Sequence, residues 1–146
     1  MDALDAQIVE LLRDDGKMTI AQLAEAVNRS TTPVHERVKK LERDGVIIGY
    51  SARVNPTKLG LGLTAFCEVS LQSHEFEMLR AFEAEIDQLD EIVECHHIAG
   101  SFDYLLKIQT KDIAAYQEFL SQKLSAVPHI GRIQSAFAMK KVKGRF

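Results

Sequence analysis

The sequence predicts an α+β protein in two parts: three short helices closed by a hairpin, then a βαββαβ unit. Three observations carry this. Apolar residues recur at helical spacing over the first 45 positions, and β-branched segments alternate with helical ones after position 62. Between the two patterns, Asn55-Pro56-Thr57-Lys58-Leu59-Gly60-Leu61-Gly62 carries one proline and two glycines, the composition of a hinge. The expected divisions are residues 1–54, a linker at 55–62, and residues 63–146.

In the first part, Leu4, Ile8, Leu11 and Leu12 form one helical stripe that Gly16 ends. Thr19 with Gln22 three residues later is a capping-box pattern, and Ile20, Leu23, Ala24 and Val27 form the inward face behind it. Asn28-Arg29-Ser30 breaks the chain. A third helix opens at Ser30-Thr31-Thr32-Pro33, where hydroxyls can cap and proline suits a first turn. Val34, Val38 and Leu41 are its inward stripe, and Gly45 stands where a left-handed residue stops a helix. Val46–Val54, β-branched and interrupted by Gly49, predicts a small two-stranded hairpin. Three helices with a short turn between the last two, then a hairpin, describe a winged helix-turn-helix. That motif lays its last helix in the major groove of DNA.

Placing Val34, Val38 and Leu41 inward turns Thr32, His35, Glu36, Lys39 and Arg43 outward at 100° per residue. Ser30, Thr31, Thr32 and His35 are short or planar groups suited to base edges or phosphate. Lys39, Lys40 and Arg43, with Arg37 completing the basic set, suit phosphates, which position a protein without specifying sequence. The charge pattern agrees. From Arg29 to Lys58 there are seven basic residues against three acidic, whereas from Leu63 onward there are nine against twelve, in a chain of net charge −3. A basic segment in an acidic chain suggests a polyanion met on one face, here double-stranded DNA, although such a face also serves solubility. A domain of about 60 residues buries little surface alone, so tight binding calls for a dimer reading two half-sites.

In the second part, Leu63–Leu71 reads as a strand and Glu75–Leu89 as a helix with Phe76, Leu79, Phe82 and Ile86 at helical spacing. Glu91–Ala99 and Phe102–Thr110 read as strands joined tightly by Gly100-Ser101. Asp112 caps a helix with Ile113, Tyr116, Leu120 and Leu124 inward, ended by Pro128, and a last strand follows at Ile133–Val142. This order is the ferredoxin-like split βαβ. Apolar residues fall on both parities of the strands, so the sheet face away from the helices needs a second cover, most simply another copy of the chain.

The chemistry candidate is Gly100-Ser101-Phe102-Asp103-Tyr104. Glycine lets backbone amides approach a carboxylate, and Asp103 could hold an ammonium group, together suiting the zwitterionic end of an α-amino acid. His97 lies near that loop. Cys95-His96-His97 places Cys95 and His97 on one strand face with no third ligand at a suitable spacing, so no metal is expected. Lys140-Lys141-Lys143-Arg145 reads as a solvated tail that could touch DNA. With no Gly-rich phosphate loop, nucleophile elbow or HExxH pattern, neither catalysis nor a cofactor is expected.

Hydrophobic residues at 46% and charged residues at 27% describe a globular chain, and no apolar run approaches the roughly 18 residues of a membrane span. The acidic start, Met1-Asp2-Ala3-Leu4-Asp5, lacks the pattern of a secretory signal, so a cytoplasmic protein is expected. Two cysteines, Cys67 and Cys95, make no disulfide framework.

Leu4-Asp5 ahead of the first helix, STTPVHERVKKLERDGVIIGYSARVNP from Ser30 to Pro56, and GSFDYLL from Gly100 to Leu106 resemble the Lrp/AsnC family, in the same order and over essentially the whole chain. The resemblance implies a transcription factor joining a winged helix-turn-helix to a ferredoxin-like amino-acid-binding domain, with residues 30–43 reading operator DNA. It also implies dimers made through the sheets, four of them gathered in a ring-like octamer, and a loop at 100–104 bordering an effector pocket between dimers. The family often carries an acidic residue where this chain has Ser101, which leaves the effector's identity open. The alternative is an architectural DNA-wrapping protein without an effector.

Overall fold

The computed structural model describes residues 1–144; Arg145, part of the basic tail, and Phe146 lie outside the described residues. The chain divides into two compact units, Asn55–Val142 forming the second and Met1–Val54, with the described residues from Lys143 on, the first.

The first unit holds α1 (Ala3–Asp14), α2 (Ile20–Ala26) and α3 (Thr31–Arg43). Each of the first two starts on a reciprocal cap. The Asp5 amide donates to Asp2 Oδ1 and the Asp2 amide to Asp5 Oδ2, while Gln22 and Thr19 exchange the same pair of bonds. Ile8, Leu23, Ala24, Val27, Val34, Val38 and Leu41 form the buried core, so the inward stripes lie where the periodicity puts them. Asn28 makes the turn into α3 at φ 53°, a left-handed conformation that asparagine tolerates better than most side chains.

The hairpin expected over Val46–Val54 does not form: residues 46–54 contain no strand. The Val46 and Ile47 amides both donate to Leu41 O, so the segment begins by closing α3. Ile47 alone reaches the core, and Ile48, Tyr50 and Val54 remain exposed. An isolated two-stranded ribbon is marginal without a hydrophobic face to pack, and Ile48 and Val54 stay exposed while Tyr50 instead bonds Glu42 of α3.

The 55–62 segment is an ordered start to the second unit. Asn55 caps a single 3-10 turn, Pro56–Leu59, by accepting from the Thr57 amide, and Gly60 ends it left-handed at φ 80°. The second unit then runs β1 (Leu63–Leu71), α4 (Phe76–Ile86), β2 (Ile92–His97), β3 (Tyr104–Thr110), α5 (Ile113–Glu118) and β4 (Ile130–Phe137). The sheet is antiparallel in the order β2-β3-β1-β4, with Cys67 opposite both Leu106 and Ser135. Its covered face packs Ala65, Cys67, Val69, Leu106 and Ile108 against Phe82 and Ile86 of α4 and Tyr116 of α5.

Three details depart from the sequence reading. The β2–β3 connection is six residues, 98–103, rather than Gly100-Ser101 alone, because the Asp103 amide bonds Val69 O of β1 and the Ile98 amide bonds Asp103 O. The second helix loosens after Glu118 into a wide turn, Phe119–Lys123, and a 3-10 turn, Leu124–Ala126; Tyr116 and Leu124 are buried but Ile113 is 55% exposed. The last strand spans Ile130–Phe137, starting earlier and ending earlier than expected. On the open face, Phe66, Leu105 and Ala136 sit among Glu68, Lys107, Gln134 and Arg132, so its apolar area is a small patch rather than a second core face.

Candidate functional site

Two surfaces gather the predicted residues, one on each unit. On the first unit, α3 follows Ser30, whose side chain stands at the cap position and makes no capping hydrogen bond. The leading amides of α3 are therefore left without a side-chain cap at the positive end of the helix. Ser30, Thr31 and Thr32 are exposed there, and His35, Lys39, Lys40 and Arg43 are exposed further along. Val34, Val38 and Leu41, buried at 7% exposure or less, hold that face outward. Arg43 stands 3.8 Å from Asp44 in an exposed pair that constrains it little.

Arg37 departs from the expectation. It is half-buried, and its NH1 donates at 2.6 Å to Asp2 Oδ2 and at 2.6 Å to Asp5 Oδ1. Position 37 lies on the flank between the inward and outward faces, where it meets the start of α1. NH1 is committed inside the unit, so Arg37, unlike Lys39, does not stand free in solvent. The reciprocal backbone bonds of the cap, and then Arg37, hold both carboxyls below their usual range, and the two carboxylates raise Arg37 in return.

On the second unit the loop after β2 is built largely from its own core. Phe102 is buried, with the Arg132 guanidinium 5.0 Å above its ring. Tyr104 is 1% exposed, lies 4.6 Å from the Phe82 ring, and donates its hydroxyl to Glu83 Oε1 at 2.8 Å. Burial, then Glu83, pushes the Tyr104 phenol well above its ordinary value. Asp103, expected to hold an ammonium group, has both oxygens engaged. Oδ2 accepts from the Leu71 amide at 2.7 Å and Oδ1 stands 2.7 Å from His74 Nε2. Burial pushes its carboxyl up, but the Leu71 amide and His74 outweigh that and hold it below the usual range. Asp103 is thus first an anchor between the loop and the end of β1.

Gly100, Ser101 and His97 remain exposed. Gly100 has φ 154°, which side chains rarely adopt, and nothing lies within 4 Å of where a Cβ would stand, so its backbone is open to approach. The His97 ring stacks on Tyr104 with centroids 4.7 Å apart. His97 and Tyr104 also border a groove of about 380 Å³ between α4 and β2, which Glu83, Asp87 and Cys95 help to line. His74 and Glu83 were missed by sequence reasoning. They lie 29 and 21 residues from Asp103 and Tyr104, which they bind, and no local pattern marks such pairings. Among the described residues no cluster of three His, Cys, Asp or Glu side chains could hold a metal ion, and no helix is long and apolar enough to cross a membrane.

A head whose last helix offers uncapped amides, hydroxyls and cations, followed by a body with an approachable loop, defines a ligand-responsive DNA-binding regulator. Residues 1–48 match the winged helix-turn-helix DNA-binding family, and residues 64–146 match the Lrp/AsnC ligand binding domain. The chain is 40% identical over 143 residues to the proline dehydrogenase transcriptional activator of Rhizobium radiobacter, covering 98% of this chain and 92% of that protein. It is 38% identical to the DNA-binding transcriptional activator DecR of Escherichia coli strain K12, covering 98% and 94%. Among solved structures, a transcriptional regulator of Neisseria meningitidis in complex with L-Met superposes with a TM-score of 0.94 at 30% identity, covering 99% of this chain and 93% of that one. The chain belongs to the Lrp/AsnC family. It is a DNA-binding transcriptional regulator with a ligand-binding domain, and not an enzyme.

Proposed function

We propose that this regulator reads operator DNA with the amino-terminal half of α3 and senses an α-amino acid at the loop between β2 and β3. The observation that carries the first half is the uncapped start of α3. Free amides with the Ser30, Thr31 and Thr32 hydroxyls suit a phosphate at a helix N-terminus, while the exposed imidazole of His35 suits a base edge. Lys39, Lys40 and Arg43 then neutralise flanking phosphates.

At the loop, the open backbone at Gly100 and Ser101 suits an α-carboxylate, and the ring of His97 lies beside it. Asp103 holds the loop in place and supplies the negative charge nearby. The L-Met complex of the Neisseria regulator supports an α-amino acid as the class of ligand. The open sheet face, with Phe66 and Leu105 at its centre, is the surface for a second copy. Four such dimers make an octamer whose paired heads read two half-sites in the cytoplasm. An effector controls this assembly only to the extent that it binds one state more tightly than the other.

The experiment pairs two measurements on the full chain. Lys39→Gln should flatten the dependence of log affinity on log salt by about one unit, and an unchanged slope removes α3 from the interface. Asp103→Ala should abolish the calorimetric heat of the amino acid that shifts the wild-type melting temperature, while DNA affinity stays near normal. If none of the twenty amino acids shifts melting, the protein is an effector-free architectural wrapper.

A further inference from the structure

We infer that Arg37 is the positioning residue of the recognition helix: it fixes the rotation of α3 against the start of α1 and acts on DNA only through that fixing. The inference rests on the reading of α3 as the DNA-contacting helix. Its ground is the way the two caps and one guanidinium nitrogen share four oxygens. Asp2 Oδ1 and Asp5 Oδ2 are each committed to the other's backbone amide, at 2.9 and 3.0 Å. The two oxygens left over, Asp2 Oδ2 and Asp5 Oδ1, converge on Arg37 NH1 at 2.6 Å each, across 35 and 32 residues of sequence.

The arrangement is hard to leave. Asp5 is only 4% exposed, and a buried carboxylate is costly unless paired. Were Arg37 to swing out to a phosphate, Asp5 would keep a second carboxylate beside it with no cation between them. Ile8 shares one core with Val34 and Val38, which sets the inward face of α3 but ties no particular pair of atoms, because apolar burial is non-directional. The clasp adds a directional link that fixes the fine rotation. It lies between His35 and Lys39, so a small rotation about it moves both. Base contacts hold their specificity only within about 0.5 Å and 10–20° of the productive geometry.

The test uses the full chain, a duplex selected by the wild-type protein from a random pool, and a mixed-sequence duplex of equal length, each titrated from low to high KCl. For Arg37→Gln, affinity for the selected duplex should fall about tenfold, the worth of one charge-assisted hydrogen bond, while the salt slope stays at the wild-type value. Arg37→Lys should recover part of that loss. Should Arg37→Gln not fold, Asp2→Asn keeps the cap oxygen but loses one acceptor of the clasp. Removing its negative charge by itself favours every duplex, so a fall in the ratio of selected to mixed affinity marks positioning. A slope lower by about one unit in Arg37→Gln shows a phosphate contact and overturns the proposal, as does an unchanged ratio in either folded variant. An unchanged slope in Lys39→Gln instead overturns the α3 reading, so the two failures are told apart.

Discussion

Residues 30–43 and residues 97–104 carry the two candidate surfaces, and they relate to their cores in opposite ways. In α3 the inward stripe of Val34, Val38 and Leu41 is separate from the outward groups, and Arg37 on the flank between them bonds the start of α1. In the loop, Phe102 and Tyr104 are themselves buried and Asp103 is bonded to β1 and to His74. A DNA reader can afford this separation, since the duplex brings a regular charged surface and the helix need only be held rigidly. A sensing loop gains from the reverse arrangement. A ligand that displaced Asp103 or Tyr104 would break bonds to the end of β1 and to Glu83 of α4, and so would be felt in the body of the domain.

That contrast can be broken or sharpened by experiment, beginning with the largest expected effect. Phe82→Ala should destabilise the second unit by about 3–5 kcal/mol, because it empties the space against Tyr104. Hydrogen exchange should then show protection lost in β1 and β3 and kept in α1–α3; equal loss in both would mean the cores are not separate. Gly62→Ala should cost about 1–3 kcal/mol by the usual penalty for overpacking, since a Cβ there would stand 2.9 Å from Lys111 O. Unchanged denaturant midpoints would show that the backbone yields.

Acid comes next. The carboxyls of Asp2, Asp5 and Asp103 all lie below the usual value of 3.8 in the folded protein. Their stabilisation is therefore fully present above that value and is lost as pH falls through the lower folded values. The thermal midpoint of wild type should fall more steeply below about pH 4 than that of Asp103→Asn, and parallel curves would mean Asp103 anchors nothing. The smallest effect is expected at Asp112, which caps α5 by accepting from the Ala115 amide at 2.9 Å. Asp112→Ala should cost about 1 kcal/mol, read from urea unfolding.

The helices, two of their caps and the alternating strands were legible because each rests on short-range rules: Thr19 with Gln22, Asp112 before its helix, Val34 with Val38 and Leu41; the hydroxyl cap expected at Ser30 does not form. The hairpin at 46–54 was misread because strand propensity does not say whether a ribbon has something to pack on. At the sites, exposure was legible for Thr32, His35 and Lys39. The occupations of Arg37, Asp103 and Tyr104 were not, since their partners Asp5, His74 and Glu83 lie 21 to 32 residues away.

What the chain's order of residues determines alone is therefore its periodicity: which elements form, which face of each is apolar, and that a basic helix precedes an acidic body. These follow from interactions within a turn or a strand pair. The tertiary structure decides which charged side chains are spent within the protein and which are left to meet a ligand. Arg37 and Lys39 sit two residues apart on one basic helix, yet one closes on a buried carboxylate and the other stands in solvent. The cost of stranding a buried charge, set by folding, makes that division.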